Sequence, residues 1–412
     1  MQVRVVVDVD VPESELDVEG IERAVTAAWR DFPGKAWNAV AREIEVVAER
    51  QHQARMHRKC VETRSLWTTA GHVRFTRHRY TDDVEEKSFT LFDMRVGLER
   101  YQRATEAAKD AFGRLAAISP SYAKSVQEAE IVVGDSPSRS AIWNWTQEIG
   151  EKIEALEKAE RKAVFDDGDL PGTDIPPKDF VGVEADSTMV HQWRKKGVNH
   201  EVYVGMAYDG KKEIRRRRVL TNRVAVASFE ASTVFGRDLF IAAQKKHNVC
   251  EAKAVVFSSD GAQSLETVRQ EHFPFAPHHL DHRHVIDKAR EAYGWNDTAG
   301  ADAVLESIFA EKRAEFEAAT LRNMSLRPDR RAKIAEFREY VLARWDWIFT
   351  VRRMKAKFAG LAIPSHISGT GAEERMVAVL VGHRMKRRGM GWTRSGGANI
   401  IRVRLRALGL QN

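Results

Sequence analysis

The stretch VVFSSDGAQSL, residues 255–265, is a short apolar run that ends on an acidic residue followed at once by glycine. Its first three residues predict a buried strand, and Asp260 with Gly261 supplies the turn chemistry that ends it. Asp260 could simply cap the helix predicted to begin after it. It could also be a metal ligand at a strand end, in which case it needs acidic partners elsewhere in the chain.

The composition is that of a globular chain long enough for two or three domains. Its 412 residues are 43% hydrophobic and 30% charged, which suits several buried cores. No run approaches the roughly 18 apolar residues of a membrane span, and the N-terminus alternates Val with charged residues, unlike a secretory signal. Only Cys60 and Cys250 occur, which excludes a disulfide framework and a Cys-rich zinc site. We expect a cytoplasmic protein.

Positive charge is concentrated in two separate blocks. The formal net charge is +7, and residues 51–80 and 383–406 are strongly basic whereas residues 1–50 are acidic. Either block alone could be a solvated face. Two blocks with interleaved aromatic residues predict contacts with a polyanion, and favour nucleic acid over a membrane surface.

Residues 1–165 predict a mainly helical DNA-binding domain. Apolar residues recur at helical spacing on both sides of Pro33. An aromatic and β-branched stretch at about residues 64–80 predicts a hairpin with a basic face, whose DNA-binding candidates are Arg74, Arg77 and Arg79. Residues 166–178, rich in proline and glycine, predict a linker.

Residues 121–150 predict a helix-turn-helix. One helix should end near Val133, and a Gly-Asp-Ser-Pro turn should lead into a second helix, which could enter a major groove. Three of its residues are of types that reach base edges: Arg139, Asn144 and Gln147. A helical hairpin that only packs explains the pattern equally well.

Beyond the linker the pattern changes to strands. Residues 179–290 predict three antiparallel strands, the third at 216–228, then a helix followed by strand, helix, strand and helix. That order is typical of a ribonuclease-H-like α/β domain with a mixed sheet, completed by residues 359–412. Residues 291–358 predict an all-helical insertion, and a last helix is predicted from about residue 372 to 386.

Acidic residues at two predicted strand ends could share metal ions. Asp186 ends the first strand and Asp260 the fourth, which the proposed sheet order makes neighbours. Glu373 or Glu374 on the final helix could complete a site for two Mg²⁺ (or Mn²⁺) ions, which favour oxygen ligands and promote in-line phosphoryl displacement. Glu184 is a weaker rival ligand. On spacing alone, three unrelated surface acids are the better explanation.

Asp281 and His284 lie where a strand gives way to a helix. Asp281 could be only an N-cap and His284 a first-turn histidine. Both would nevertheless lie near the same sheet edge as Asp260, which makes them candidate near-site residues.

Four motifs occur in the order found in a known enzyme family: VEAD (183–186), SDGA (259–262), LDHRH (280–284) and GAEERMVAVLVGHRMKRRGMGWTRSGGANIIRVR (371–404). They resemble the motifs of DDE transposases of the ISLre type of insertion sequence. LFDMRVGL (91–98), SPSYAKSV (119–126) and the helix-turn-helix also resemble the N-terminal half of that family. The resemblance covers most of residues 55–406.

The resemblance implies a ribonuclease-H-like catalytic domain whose metal-binding triad is Asp186, Asp260 and Glu373, with Asp281 and His284 beside it. Family members would cut at the 3′ ends of a mobile element and join them to target DNA. The implied partner is double-stranded DNA, both element ends and target, bound by a homodimer or higher multimer in the bacterial or archaeal nucleoid.

The C-terminal basic block would hold DNA phosphates near this catalytic site. Its candidates are Arg384, Lys386, Arg387, Arg388, Arg394, Arg402 and Arg404. Two other functions are compatible with the sequence: a catalytically inactive or repurposed DNA-binding protein, and a metal-dependent nuclease without strand transfer.

Overall fold

The computed structural model describes residues 1–52, 55–84, 86–215, 217–296, 298–348, 373–386 and 389–411, without the side chains of residues 217, 218, 373 and 374. The chain forms two compact units, Met1–Ile149 and Gly150–Asn412. The division falls 16 residues before the predicted domain end at residue 165, and not in the proline-rich stretch 166–178.

The first unit begins with one long helix, α1 (Val18–Gln51). The Asp17 carboxylate caps it by accepting a hydrogen bond of 2.6 Å from the Gly20 backbone N–H. The helical patterns on the two sides of Pro33 belong to this single helix. Proline removes one backbone hydrogen bond, and the bonded turns before and after it keep the helix continuous.

The stretch predicted as a basic hairpin lies in two antiparallel strands, β1 (Met56–Thr68) and β2 (Gly71–Asp82), with β3 (Ser88–Phe89) paired to β2. The strands extend beyond residues 64–80. Alternate side chains of β2 are buried, as expected for a strand with one face on a core. That core contains Ala41, Leu66, Val73, Phe75 and Phe92.

Four further helices follow: α2 (Leu91–Val96), α3 (Glu106–Ile118), α4 (Tyr122–Val133) and α5 (Arg139–Phe165). The predicted helix-turn-helix corresponds to α4 and the first part of α5. Gly134 ends α4 with a left-handed φ of 77°, which glycine adopts most readily. The Ser138 hydroxyl accepts a hydrogen bond of 3.2 Å from the Ala141 N–H and so caps α5.

The second unit is built on strands with these bounds: β4 (Val181–His191), β5 (Asn199–Tyr208), β6 (Gly210–Ile214), β7 (Arg217–Thr221), β8 (Val224–Ser228), β9 (Val255–Ser259) and β10 (His278–Leu280). A five-stranded mixed sheet has the order β8-β5-β4-β9-β10. β4, β5 and β8 are antiparallel, whereas β9 runs parallel to β4 and β10 runs parallel to β9.

The third predicted strand, residues 216–228, is divided in the structure. Its first half is β7, which pairs with β6 in a separate two-stranded ribbon, and its second half is β8 of the main sheet. Asn222 lies between them with a φ of 46°. A left-handed residue cannot continue a strand, which explains the break.

Helices α6 (Ser232–His247) and α7 (Gln263–His272) pack on the sheet. Their apolar side chains join those of the strands in one core, which includes Val183, Phe235, Leu239, Phe257 and Leu265. The alternating sequence of strands and helices thereby forms a mixed α/β unit, as the sequence predicted.

After β10 the chain forms a helical block: α8 (His282–Tyr293), α9 (Thr298–Phe309), α10 (Arg313–Leu326) and α11 (Arg331–Ala343). It has its own core, which includes Val285, Val304, Phe316, Ile334 and Phe337. The predicted insertion, 291–358, is helical in most of its described part, and its last ten residues lie outside the described residues.

The last described helices are α12 (Glu373–Val377), a π-helical segment (Ala378–Lys386) and α13 (Arg394–Ala407). The sequence predicted a single α-helix up to residue 386. A π-helix is wound more loosely than an α-helix, so its inward residues differ from those that α-helical spacing predicts. None of the helices in the described part of the chain carries an apolar stretch of the length that a bilayer crossing requires.

Two arginines of α13 that were predicted to bind phosphates are buried, which corrects that prediction. Arg402 is 7% exposed, and its Nε donates a hydrogen bond of 2.8 Å to Glu157. Arg404 is 6% exposed and donates to the Val379 carbonyl at 3.0 and 2.7 Å. Both guanidinium groups bind protein acceptors and are withdrawn from solvent.

Arg384 and Arg77 need the same correction. Arg384 lies inside the π-helical segment with its guanidinium carbon 5.0 Å from the ring centre of Trp392. Arg77 is buried in the first unit, where it pairs with Asp93 and lies 3.7 Å from Glu62. Arg387 and Arg388 lie outside the described residues.

We predict that Arg402→Ala destabilises the protein, because it leaves Glu157 with an unpaired, mostly buried charge. The free energy of unfolding should fall by about 3 kcal/mol, measured by urea denaturation. Arg406→Ala is the matched control, since Arg406 is an exposed residue of the same helix. If the two variants are equally stable and only Arg402→Ala weakens DNA binding, then Arg402 binds DNA phosphates as the sequence predicted.

Candidate metal centre

Asp186 and Asp260 lie side by side because β4 and β9 are parallel neighbours. Asp260 follows the last residue of β9, whereas Asp186 lies in the middle of β4, which continues to His191 instead of ending at Asp186 as the sequence predicted. Glu184 of β4 is level with Ser258 of β9, so the residues two positions further along each strand are also level. One potential ligand atom each from Asp186, Asp260 and His284 lie within 4.8 Å of one another. The sequence predicted the two acids together and His284 near the same sheet edge, and the structure places a ligand atom of all three within this distance.

Asp281 holds His284 in this cluster. It is the N-cap of α8 and accepts a hydrogen bond from the His284 backbone N–H at 3.2 Å. The same carboxylate oxygen lies 2.9 Å from Nδ1 of His284. Asp281 is therefore both an N-cap and a partner of the imidazole. A carboxylate that binds one ring nitrogen leaves the other, Nε2, as the nitrogen available to a cation.

The charges of these groups are strongly coupled. Burial raises the pKa of Asp186, and the negative charges of Asp260 and Asp281 raise it further against the opposing effects of the Ser187 N–H and His284. The hydrogen bond to Asp281 raises the pKa of His284, as do the charges of Asp186 and Asp260. A cation at this position would relieve the repulsion between the carboxylates.

The turn that carries Asp260 is held by the last turn of α11 and by Arg344, the residue that follows this helix. Tyr340 donates its hydroxyl to the Asp260 carbonyl at 2.9 Å, and Arg344 donates to the Gly261 carbonyl at 3.1 and 2.9 Å. Gly261 has a φ of 78°, and a Cβ there would lie 2.7 Å from Nε of Arg344 and 2.8 Å from Leu280. Glycine is required because Arg344 and Leu280 pack against it.

Buried hydrogen bonds from two strands of the sheet support the same turn. The Gly261 N–H donates to the Ser259 hydroxyl at 3.2 Å, and that hydroxyl lies 2.8 Å from Nε2 of His278. Nδ1 of His278 lies 2.6 Å from Glu266. Burial lowers the pKa of His278 to about 4, so the imidazole is neutral at pH 7 and can accept the Ser259 proton.

Glu184 and Glu373 were also candidate metal ligands, and the structure describes the side chain of only the first. Glu184 is fully buried and accepts a hydrogen bond of 2.5 Å from the Tyr208 hydroxyl, which excludes it as the rival metal ligand. Glu373 begins α12, which packs against β4 and β5. The side chains of Glu373 and Glu374 lie outside the described residues.

The remaining DNA-binding candidates differ in exposure. The exposed ones are Arg74, Arg139, Asn144, Lys386 and Arg394, and the half-buried ones are Arg79 and Gln147. Arg79 pairs with Glu62 at 2.6 Å. Lys386 bonds the Thr188 hydroxyl and Arg394 bonds the Phe229 carbonyl, so both are partly engaged within the second unit.

Sequence reasoning missed the residues that support the Asp260 turn. Tyr340 and Arg344 were read only as part of the helical insertion, and His278 and Glu266 as parts of a strand and a helix. The four-residue spacing of Tyr340 and Arg344 places both on one helix face. Nothing in the sequence says that this face meets the end of β9.

Asp281→Asn is expected to lower stability in a pH-dependent way. Below about pH 6.5 His284 is charged in the folded and the unfolded protein, so its pair with Asp281 stabilises fully. That contribution is lost as the pH rises through the raised folded pKa of His284. Burial tends to raise the pKa of Asp281, but the interaction with His284 holds it below its usual value, so stability also falls in strong acid.

Urea unfolding of wild type and Asp281→Asn across this pH range measures the effect. Asparagine also caps helices, so the comparison removes the charge and keeps the cap. The difference in unfolding free energy should be largest near pH 5 to 6 and should shrink at alkaline pH. A difference that stays constant would mean that the ion pair contributes nothing.

Tyr340→Phe should loosen the Asp260 turn while keeping the aromatic ring. Loss of one hydrogen bond should cost about 1 kcal/mol of stability and weaken divalent-cation binding by up to about tenfold, as measured by calorimetric titration with Mn²⁺. Tyr293→Phe is the control, because it loses a hydroxyl that binds Asn323 in the helical block. Unchanged Mn²⁺ affinity in Tyr340→Phe would contradict this role.

Comparison with known proteins places the chain in a family. No curated protein matches it significantly. The model of UPF0236, described as an uncharacterised protein family, matches residues 14–409, which is nearly the whole length. The chain therefore belongs to the uncharacterised protein family UPF0236.

Proposed function

We propose that this protein is a DDE-type transposase that uses divalent cations to cut DNA at the ends of an insertion sequence and to join those ends to target DNA. The observation that carries the proposal is the cluster of Asp186, Asp260 and His284 beside the carboxyl end of β9, with potential ligand atoms within 4.8 Å of one another. Because the chain resembles ISLre-type transposases, we interpret this cluster as the metal site at which DNA is cut.

The sheet topology supports the proposal. Three antiparallel strands followed by two parallel ones, in the order β8-β5-β4-β9-β10, agree with a ribonuclease-H-like domain. In such a domain the acids of the first and fourth strands lie side by side. Asp186 and Asp260 occupy those two positions here.

Glu373 is the proposed third acid of the triad. It begins α12, and this helix packs against β4, the strand of Asp186, and against β5. Neighbouring residues of a helix point about 100° apart, so Glu373 and Glu374 cannot both face the same site. The choice of Glu373 rests on the resemblance.

The donor set fits Mg²⁺ or Mn²⁺. Asp186 and Asp260 offer carboxylate oxygens, the ligands that such hard cations favour. Burial raises the pKa of Asp186, and the negative charges of Asp260 and Asp281 add to that effect. Two bound cations would stabilise the attacking and leaving oxygens of an in-line phosphoryl displacement. Asp281 would hold the imidazole of His284 beside the bound cations through its contact with Nδ1.

DNA would be held by the exposed basic and polar residues of each unit. The first unit offers Arg74 on β2, and Arg139 and Asn144 on α5, whereas the second offers Lys386 and Arg394. Each phosphate neutralised by such a residue should steepen the log–log salt dependence of binding by about 0.9. Two DNA ends are joined in such a reaction, so we propose that a dimer or higher multimer acts.

Asp186→Asn and Asp260→Asn should abolish metal-dependent cleavage and spare DNA binding. The substrate is DNA that carries the inverted repeats flanking the gene, incubated with Mg²⁺ or Mn²⁺. Loss of several kcal/mol of transition-state stabilisation predicts a fall in rate of about 10³-fold or more. Asp179→Asn is the matched control, since Asp179 is an exposed acid just before β4 that pairs with Lys253.

The products of this assay distinguish the alternatives. Cleaved ends joined to a second DNA support a transposase, whereas cleavage without joined products indicates a nuclease. Binding of the ends without any cleavage by the wild type indicates a repurposed DNA-binding protein. Normal cleavage by Asp186→Asn would disprove the assignment of the metal centre.

A further inference from the structure

The loop between β4 and β5, residues 192–198, exposes a tryptophan next to three basic residues. Trp193 is 51% exposed. The guanidinium carbon of Arg194 lies 5.5 Å from the centre of its ring. An indole ring this open to water gains little from packing within the protein, so its open face is suited to a planar partner.

The charge of the loop is positive and uncompensated. Arg194, Lys195 and Lys196 are all exposed, and no carboxylate among the described residues forms an ion pair with them. Exposed cations beside an open aromatic ring are the combination that binds single-stranded nucleic acid, because the cations attract phosphates while the ring stacks on a base.

The base of the loop is anchored to the segment before α13. The Trp193 N–H donates to the Trp392 carbonyl at 3.0 Å, and the Trp392 N–H donates to the His191 carbonyl at 2.9 Å. The backbone is close here, since a Cβ on Gly391 would lie 3.1 Å from Cα of Trp193. Trp193 is therefore presented from a fixed backbone.

The loop continues the strand that carries Asp186. Gln192 is six positions after Asp186, which at about 3.3 Å per residue corresponds to roughly 20 Å. That distance equals about six nucleotide steps of duplex DNA. A strand held at the candidate metal centre could thus place a nucleotide near Trp193.

We propose that the 192–198 loop binds an unpaired nucleotide of the DNA, with Trp193 stacked on its base and Arg194, Lys195 and Lys196 contacting the adjacent phosphates. The proposal rests on the function proposed above and adds a second contact to it. The DNA would be partly unpaired within about six nucleotides of the metal centre.

Trp193→Ala is the test, and binding is measured without metal so that cleavage plays no part. The two probes are a blunt duplex and the same duplex with a single-stranded tail, followed by fluorescence anisotropy. Loss of one base stack should weaken binding to the tailed duplex by roughly 5- to 100-fold and leave the blunt duplex unaffected. Trp193→Phe should retain most of the affinity.

Trp295→Ala is the matched control, because Trp295 is 63% exposed in the same unit but lies outside the loop. Equal affinity of wild type and Trp193→Ala for the tailed duplex, or an equal loss on both probes, would overturn the proposal. If the wild type binds neither probe, the proposed function fails as well. If it binds both and Trp193→Ala changes nothing, only the loop proposal fails.

Discussion

The parallel pairing of β4 with β9 is the constraint on which the candidate metal centre depends. Residues far apart in the chain become level neighbours because Glu184 and Ser258 share a register position. A shift of one residue would turn every side chain of a strand to the opposite face. The buried apolar residues of both strands oppose such a shift, so the hydrophobic core sets the separation of the two carboxylates.

The helical block also contributes to this geometry. Tyr340 of α11 and Arg344, which follows the last residue of that helix, bind the carbonyls of Asp260 and Gly261. Ser259 and His278 support the turn from within the sheet. Two carboxylates in close approach repel each other. Hydrogen bonds on both sides of the turn hold Asp260 in place against that repulsion.

The basic C-terminal block, residues 383–406, shows that a count of charged residues does not reveal which of them can bind DNA. Lys386 and Arg394 are exposed, whereas Arg384, Arg402 and Arg404 are buried. A guanidinium group can bind a carboxylate of its own protein or a phosphate of another molecule by the same hydrogen bonds. The sequence pattern is identical in both cases, and only the fold tells which arginines face water.

Local patterns in the sequence determined much of this protein: the strand end at Asp260, the cap at Asp281, the α/β order of the second unit and the helical character of the first. These features depend on the periodicity and turn chemistry of neighbouring residues. The sequence predicted His284 near the two acids, but tertiary structure alone decided that its ring lies within ligand distance of both, that Tyr340 and Arg344 hold the Asp260 turn and that Arg402 binds Glu157. Such contacts join residues distant in sequence, and their distances follow from how whole elements pack, which no local pattern encodes.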